Sequence, residues 1–386
     1  MSKLTQPKLT QTNPFGSSPA DGHNTPAAGH AGAHSLAEIL SQPQCWNDCL
    51  AGLSKAGVSA EFKQRFESAS GWLFIGCGSS YYVALAAAAS ALSLTGRPAR
   101  AIPASELLLY PEPSLAAAKG LLPILISRSG RTSEVIRAGE LLKARNIPRL
   151  AITCAPGQPL EQVATATLFL PDIDEQSTVM TRSFTSMLLC LQTLSSIAAG
   201  NSHFGPSLGE MAAATAPLVP MISGKIRDFV SSHRFADYVC LGQGPFFGIA
   251  CEYALKLTEM SLSYAQSFHT LEFRHGPKSI VGPETLLIFL LSETGYAAER
   301  ELLEEMKSLG GTTLAITNRA DSRARADSDL LLELSLDVPE LARLAPALVP
   351  GQLLGLYTGL QKGLDPDSPR NLSRAVVLDE EPTQAG

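Results

Sequence analysis

Short apolar runs recur along this chain, each ending at a turn rich in Gly and Ser and each followed by a stretch with helical spacing. Trp72-Leu73-Phe74-Ile75 runs into Gly76-Cys77-Gly78-Ser79-Ser80, and Tyr238-Val239-Cys240-Leu241 runs into Gly242-Gln243-Gly244-Pro245. Ile124-Leu125-Ile126 leads to Ser127-Arg128-Ser129-Gly130, as Leu287-Ile288-Phe289-Leu290 leads to Ser292-Glu293-Thr294-Gly295. Leu150-Ala151-Ile152-Thr153 returns as Leu314-Ala315-Ile316-Thr317. The spacing is kept: Gly76 to Gly130 is 54 positions and Gly242 to Gly295 is 53, while the third run lies 74 positions after Gly76 and 72 after Gly242. Three elements in register predict a duplicated unit. Unbroken apolar runs of this length read as strands buried on both faces, which means parallel pairing with helices on either side. The expected fold is α/β: two tandem units of flavodoxin-like αβα layers, with ligand clefts at the strand ends.

The flanks read differently. Residues 1–35 are rich in Pro, Gly, Ser, Thr and Ala and nearly lack large apolar side chains, so they are expected to be a disordered tail. Residues 36–70 are expected to be a leading helical segment, with Ser35 as a helix cap, Glu38 in the first turn, and Pro43 breaking or restarting the helix. The first unit is placed at 71–201 and the second at 202–368, the latter opening with linker helices. The apolar stretch after Glu333 reads as a closing helix, and residues 369–386 as an extended tail returning across the surface.

Composition narrows the partners. A hydrophobic content of 45% and a mean hydropathy of +0.10 support sizeable cores over 386 residues. A net charge of −6 without a Lys/Arg cluster argues against nucleic acid as a partner. Seven scattered cysteines without a C-x-x-C pair or metal-ligand spacing fit reduced thiols in a cytoplasm, with no metal expected. The longest apolar run, Val83 to Leu94, is too short to span a bilayer, and no signal core opens the chain, so no membrane association is expected.

Candidate chemistry sits in the turns and in one helix. Ser127-Arg128-Ser129-Gly130-Arg131-Thr132 follows a strand and precedes an amphipathic helix, gathering backbone N–H groups, hydroxyls and a positive helix end, as a phosphate monoester requires. Gly78-Ser79-Ser80 offers a second donor set on the same sheet edge; helix capping by these Ser and Thr residues is the competing role. Neither Gly-x-Gly turn continues as G-x-G-x-x-G, because position 81 is Tyr and position 247 is Phe, and the P-loop pattern is lacking, so neither NAD nor a nucleotide is expected. The second unit's turns are poorer in hydroxyls and carry Glu293, so phosphate binding is assigned to the first unit and the chemistry to the second. The hydroxyl-rich segment 177–185, with Thr181 and Arg182 within it, fits either the sugar end of a cleft or the cap of a helix from Ser186 onward. Glu252, Lys256 and Glu259 fall at i, i+4 and i+7 on an otherwise apolar helix. That spacing suits acid–base chemistry and also an ordinary surface ion pair. His275 precedes Gly276-Pro277, which places it on a bend.

Taken together, the repeat, the C-G-S-S turn, the S-R-S-G-R-T loop, A-L-K-L-T-E and R-H-G-P resemble the double sugar isomerase (SIS) domain family over roughly residues 36–378. Within it the likeness is to the isomerase half of glucosamine-6-phosphate synthase and to galactosamine-6-phosphate deaminase/isomerases. The resemblance implies that Ser79, Ser80, Ser127, Ser129 and Thr132 bind a sugar 6-phosphate, with Arg128 adding charge where the synthase has an uncharged amide. It implies that His275, supplied by the neighbouring subunit of a homodimer, opens the sugar ring, that Glu259 moves a proton between C1 and C2, and that Lys256 and Glu252 position and tune it. No cofactor is implied. In the tail Asn371-Leu372-Ser373-Arg374, Arg374 stands where the synthase has a carbonyl-engaging lysine, and it cannot form a Schiff base. With no glutamine-hydrolysing domain in the sequence, the expected activity is catabolic: a hexosamine 6-phosphate converted to a ketose 6-phosphate and ammonia. The rivals are a plain aldose–ketose isomerase, a transaminase-like enzyme fed by a partner, and a non-enzymatic phosphosugar sensor.

Overall fold

The computed structural model describes residues 31–54 and 58–378. Three helices lead in: α1 (Ala33–Leu40), α2 (Gln42–Ser54) and α3 (Ala60–Ser68). The first unit follows as β1 (Trp72–Gly76), α4 (Ser79–Thr95), β2 (Ala99–Pro103), α5 (Ala104–Leu109), α6 (Pro111–Ala117), β3 (Leu122–Ile126), α7 (Ser133–Ala144), β4 (Leu150–Thr153), α8 (Pro159–Val163), β5 (Ala166–Phe169) and α9 (Arg182–Ala198). Helices α10 (Phe204–Thr215) and α11 (Leu218–Ser232) connect to the second unit. It contains β6 (Asp237–Gly242), α12 (Phe246–Ser261), β7 (Tyr264–His269), β8 (Thr285–Leu290), α13 (Tyr296–Ser308), β9 (Thr312–Thr317), α14 (Ser322–Ala326), β10 (Leu330–Glu333) and α15 (Leu344–Gln361).

Each unit folds into a five-stranded sheet, and every strand pairing is parallel. The orders are β2-β1-β3-β4-β5 and, read from the other edge, β7-β6-β8-β9-β10, so both units follow the 2-1-3-4-5 pattern. The strand order reverses beside the first strand of each unit, and ligands of such sheets bind outside the carboxyl ends at that point. Alternation along the strands separates the cores. Phe74, Ile124 and Ile152 share one continuous core with Cys240, Ile288 and Leu314 of the other sheet, while Leu73, Ile75 and Leu125 face an outer layer of the first unit and Val239, Leu287 and Phe289 an outer layer of the second. Helices α4, α9, α12 and α15 contribute Ala84, Leu188, Leu257 and Leu353 to the shared core. Among these, α15 packs on α12 along Gly351, Gly355 and Gly359; a Cβ at Gly355 would stand 2.8 Å from the Lys256 carbonyl oxygen.

Residues 1–30 of the expected tail lie outside the described residues. The end of that range is structured: α1 begins at Ala33, and Ser35 lies buried within it rather than capping it. The far end of the chain does the capping, because Asp365 accepts the Gly32 N–H and Asp367 accepts the N–H groups of His34 and Ser35. Those carboxylates meet the positive end of the helix. Helix α9 likewise starts at Arg182, four residues before the expected Ser186. All seven cysteines are free. Among the described residues no helix is long and apolar enough to cross a membrane.

Candidate active site

The turn after β1 needs both its glycines. A Cβ at Gly76 would stand 2.5 Å from the Ser80 backbone, and Gly78 has φ 54°, in the left-handed region. The chain thereby enters α4 at Ser79, within hydrogen-bonded turns in which Cys77 accepts the Ser80 N–H and Gly78 the N–H groups of Tyr81 and Tyr82. Because β1 and β3 are neighbours, this turn and the loop before α7 open onto the same edge. Between them lies a cavity of about 180 Å³, lined by Gly78, Ser79, Ser80, Arg128, Ser129, Thr132, Thr178 and Glu259 and roofed by residues 372–376 of the C-terminal segment. That segment is stitched down at α7, where the Ser133 N–H donates to the Val376 carbonyl and the Leu378 N–H to the Ser133 hydroxyl. A larger cavity, about 550 Å³, opens at the opposite end of the first sheet around Leu73 and Leu122 and has none of these converging turns.

The charged face of α12 is buried, so the ordinary surface pair is ruled out. Lys256 and Glu252 are fully inaccessible, and the Glu259 side chain is 19% exposed, at the cavity wall. The Lys256 ammonium lies 3.2 Å from Glu252 Oε1 and 2.5 Å from Glu259 Oε2. Ser79 closes the group, donating to Glu252 Oε1 at 2.9 Å and accepting from Lys256 Nζ at 3.3 Å. The other Glu252 oxygen has no hydrogen-bond partner among the described residues. Burial pushes the Glu252 carboxyl up to about 7, against the pull of Lys256 and with repulsion from Glu259 adding to the rise. Burial opposes the Lys256 charge, but Glu252 and Glu259 outweigh it and hold the ammonium above its ordinary range. A carboxylate thus faces the cavity, backed by a buried cation whose second partner is pushed toward neutrality by burial.

The expected phosphate ligands divide. Ser80, Ser129 and Thr132 line the cavity, with the Ser129 hydroxyl accepting from the Arg131 N–H. Ser79 lines it too, but its hydroxyl turns to the α12 cluster. Ser127 is buried beneath the loop, 3.3 Å from the Thr132 hydroxyl, and does not line the cavity. Arg128 lines the cavity too, with its guanidinium buried and bonded to Glu175 at 3.1 Å and to the carbonyls of Thr178 and Arg374, so it also braces the cavity wall. Thr181 is inaccessible and stands at the N-cap position of α9, but its hydroxyl makes no capping bond there; its N–H and hydroxyl both donate to Glu175, and it does not line the cavity. Arg374 stands at the cavity with its guanidinium on Asp174 at 2.8 Å. His275 is exposed and does not line this cavity. Glu175, which collects Arg128, Thr181 and Ser183, was not singled out from the sequence; its only signal was its place beside the hydroxyl-rich segment. Among the described residues no His, Cys, Asp and Glu cluster has the geometry to hold a metal ion.

A profile of the family described as SIS domain matches residues 65–197 and 238–348. Glutamine–fructose-6-phosphate aminotransferase (isomerizing) of Pyrobaculum aerophilum is 28% identical over 357 residues, covering 89% of this chain and 57% of that protein, so the chain spans little more than half of its relative's length. Two solved structures match along their entire length. Glucosamine-6-phosphate deaminase from Thermotoga maritima is 29% identical with a TM-score of 0.73 over 89% of this chain. Tagatose-6-phosphate ketose/aldose isomerase from Escherichia coli is 25% identical with a TM-score of 0.79 over 94%.

Proposed function

We propose that this chain, which belongs to the SIS-domain family, is an enzyme that deaminates and isomerises a hexosamine 6-phosphate to a ketose 6-phosphate and ammonia. The observation that carries this reading is Glu259: a carboxylate at the wall of a cavity rimmed by two phosphate-suited turns, with Lys256 held behind it. The sugar phosphate sits against the Ser80, Ser129 and Thr132 hydroxyls, beside the positive N-terminal ends of α4 and α7. His275 comes from a second copy of the chain and opens the ring, which accords with its exposure and its absence from the cavity of its own chain. Glu259 takes the C2 proton of the open-chain aldehyde while the substrate's own ammonium gives a proton to the aldehyde oxygen, leaving an enol that bears the neutral amine. The proton returns to C1 and gives an imine at C2; water adds at C2, the C–N bond breaks, and ammonia leaves. Lys256 stabilises the ionised Glu259 between these steps, and Glu252 shares the lysine. Likeness to the Thermotoga deaminase supports the loss of nitrogen.

Likeness to the E. coli ketose/aldose isomerase favours a second reading, in which the same proton transfer acts on a neutral sugar phosphate. A panel of glucosamine, galactosamine and neutral hexose 6-phosphates separates the two. Ammonia and ketose formed together from an amino sugar are the expected result. Ketose from neutral sugars alone, without ammonia, supports the second reading, and no conversion of any of them contradicts both.

A further inference from the structure

The loop that bears His275 is held on both sides by one carboxylate. After β7 the chain makes a 3₁₀ turn at Thr270–Arg274 and another at Pro277–Ile280, joined through His275 and Gly276, where Gly276 has φ 121°. Phe273 is fully buried in the outer core of the second unit with Leu302 and Met306 of α13. Above that anchor, Arg274 Nε donates to Glu305 Oε2 at 2.7 Å and Lys278 Nζ to Glu305 Oε1 at 2.8 Å. Arg274 immediately precedes His275, and Lys278 follows three residues later. Each oxygen of a single carboxylate therefore fixes one shoulder of the turn, while His275 itself stays exposed. Half-exposed ion pairs such as these contribute only about 0–1 kcal/mol to stability. A cation at each end of a short turn meeting on one rigid helix nevertheless sets where the residue between them stands.

We propose that Glu305 is the positioning residue for His275, holding the imidazole at the placement from which it reaches the cavity of a second copy of the chain. The inference rests on the role given to His275 in the proposed function. It is tested in the full-length protein by combining Glu305→Gln with His275→Ala and measuring turnover of the amino-sugar phosphate. Glu305→Gln alone is expected to lower kcat roughly tenfold, as a small misplacement of a reacting group does, with KM and melting temperature little changed. In the His275→Ala background the same substitution is expected to cost less than about twofold, because residues acting through one another are not additive. Replacing both Arg274 and Lys278 by Met is expected to reproduce the kcat defect. A Glu305→Gln enzyme as active as the wild type, or equally harmful with and without His275, overturns the inference while the proposed function stands. Wild-type turnover by His275→Ala overturns the role of His275 in the proposed function and this inference with it.

Discussion

Lys256 reaches no water and serves two carboxylates of unequal standing, Glu252 sealed behind it and Glu259 at the cavity wall. Replacing the lysine leaves both carboxylates without their cation, so the cluster works as a unit. Its pH behaviour follows from Glu252. Because burial pushes this carboxyl from 4.5 up to about 7, the folded protein holds a proton there that the unfolded chain releases. The contribution of Glu252 to stability is therefore complete below pH 4.5 and is lost as pH rises through about 7. For activity the sign is opposite. Ionised Glu252 draws the ammonium from Glu259 and frees it as a base, whereas protonated Glu252 leaves the ammonium wholly on Glu259. Turnover is expected to rise across pH 7, and Glu252→Gln, fixed in the neutral state, is expected to lose that rise and about tenfold in kcat above it. A pH–rate series on both proteins checks this. At this scale the spacing of Glu252, Lys256 and Glu259 was legible in the sequence, but the destination of Arg128 was not. Its partner Glu175 lies 47 residues away in a segment without periodicity, and only the folded chain brings them together.

Helix α12 carries the cluster, but its neighbours make the site. The charges are buried because α12 lies in the core shared with α4 and α15, and α15 approaches closely only because Gly351, Gly355 and Gly359 have no side chain on the contact face. The helical spacing of α12 could be read locally; its burial could not, since that depends on glycines about a hundred residues downstream. A similar limit applied at α1, whose caps come from Asp365 and Asp367 rather than from Ser35. Gly355→Ala puts a methyl group against the Lys256 carbonyl, where backbone cannot give way cheaply. It is expected to cost about 1–3 kcal/mol of stability by overpacking. It is also expected to lower kcat more than KM, because the shift falls on the turn that holds Lys256. Chemical denaturation and steady-state kinetics read the two effects, and an unchanged kcat would separate α15 from the chemistry.

Across the whole molecule, the duplication was the most legible feature. Strands buried on both faces read as continuous apolar runs, so repeated runs at repeated spacing exposed two copies of one parallel α/β unit, each of which folds in the order 2-1-3-4-5. The two copies differ at the cavity: hydroxyls of the first unit line it, while the charged cluster beside it comes from α12 of the second. The proposed sharing of His275 between two chains extends this division of labour to a homodimer. If subunits exchange freely, equal amounts of His275→Ala and Glu259→Ala proteins are expected to regain about a quarter of wild-type activity, one intact site in the half of the dimers that are mixed. Demonstrated exchange with no regain would place His275 outside a shared site. The central claim, that Glu259 carries the proton, is tested most directly by Glu259→Gln, which keeps the shape and removes the base. Ketose formation and sugar phosphate affinity are measured together on the substrate that the wild type converts. The account predicts a rate lower by about 10²–10⁴ with affinity nearly unchanged. A Glu259→Gln enzyme that turns over at the wild-type rate would contradict it.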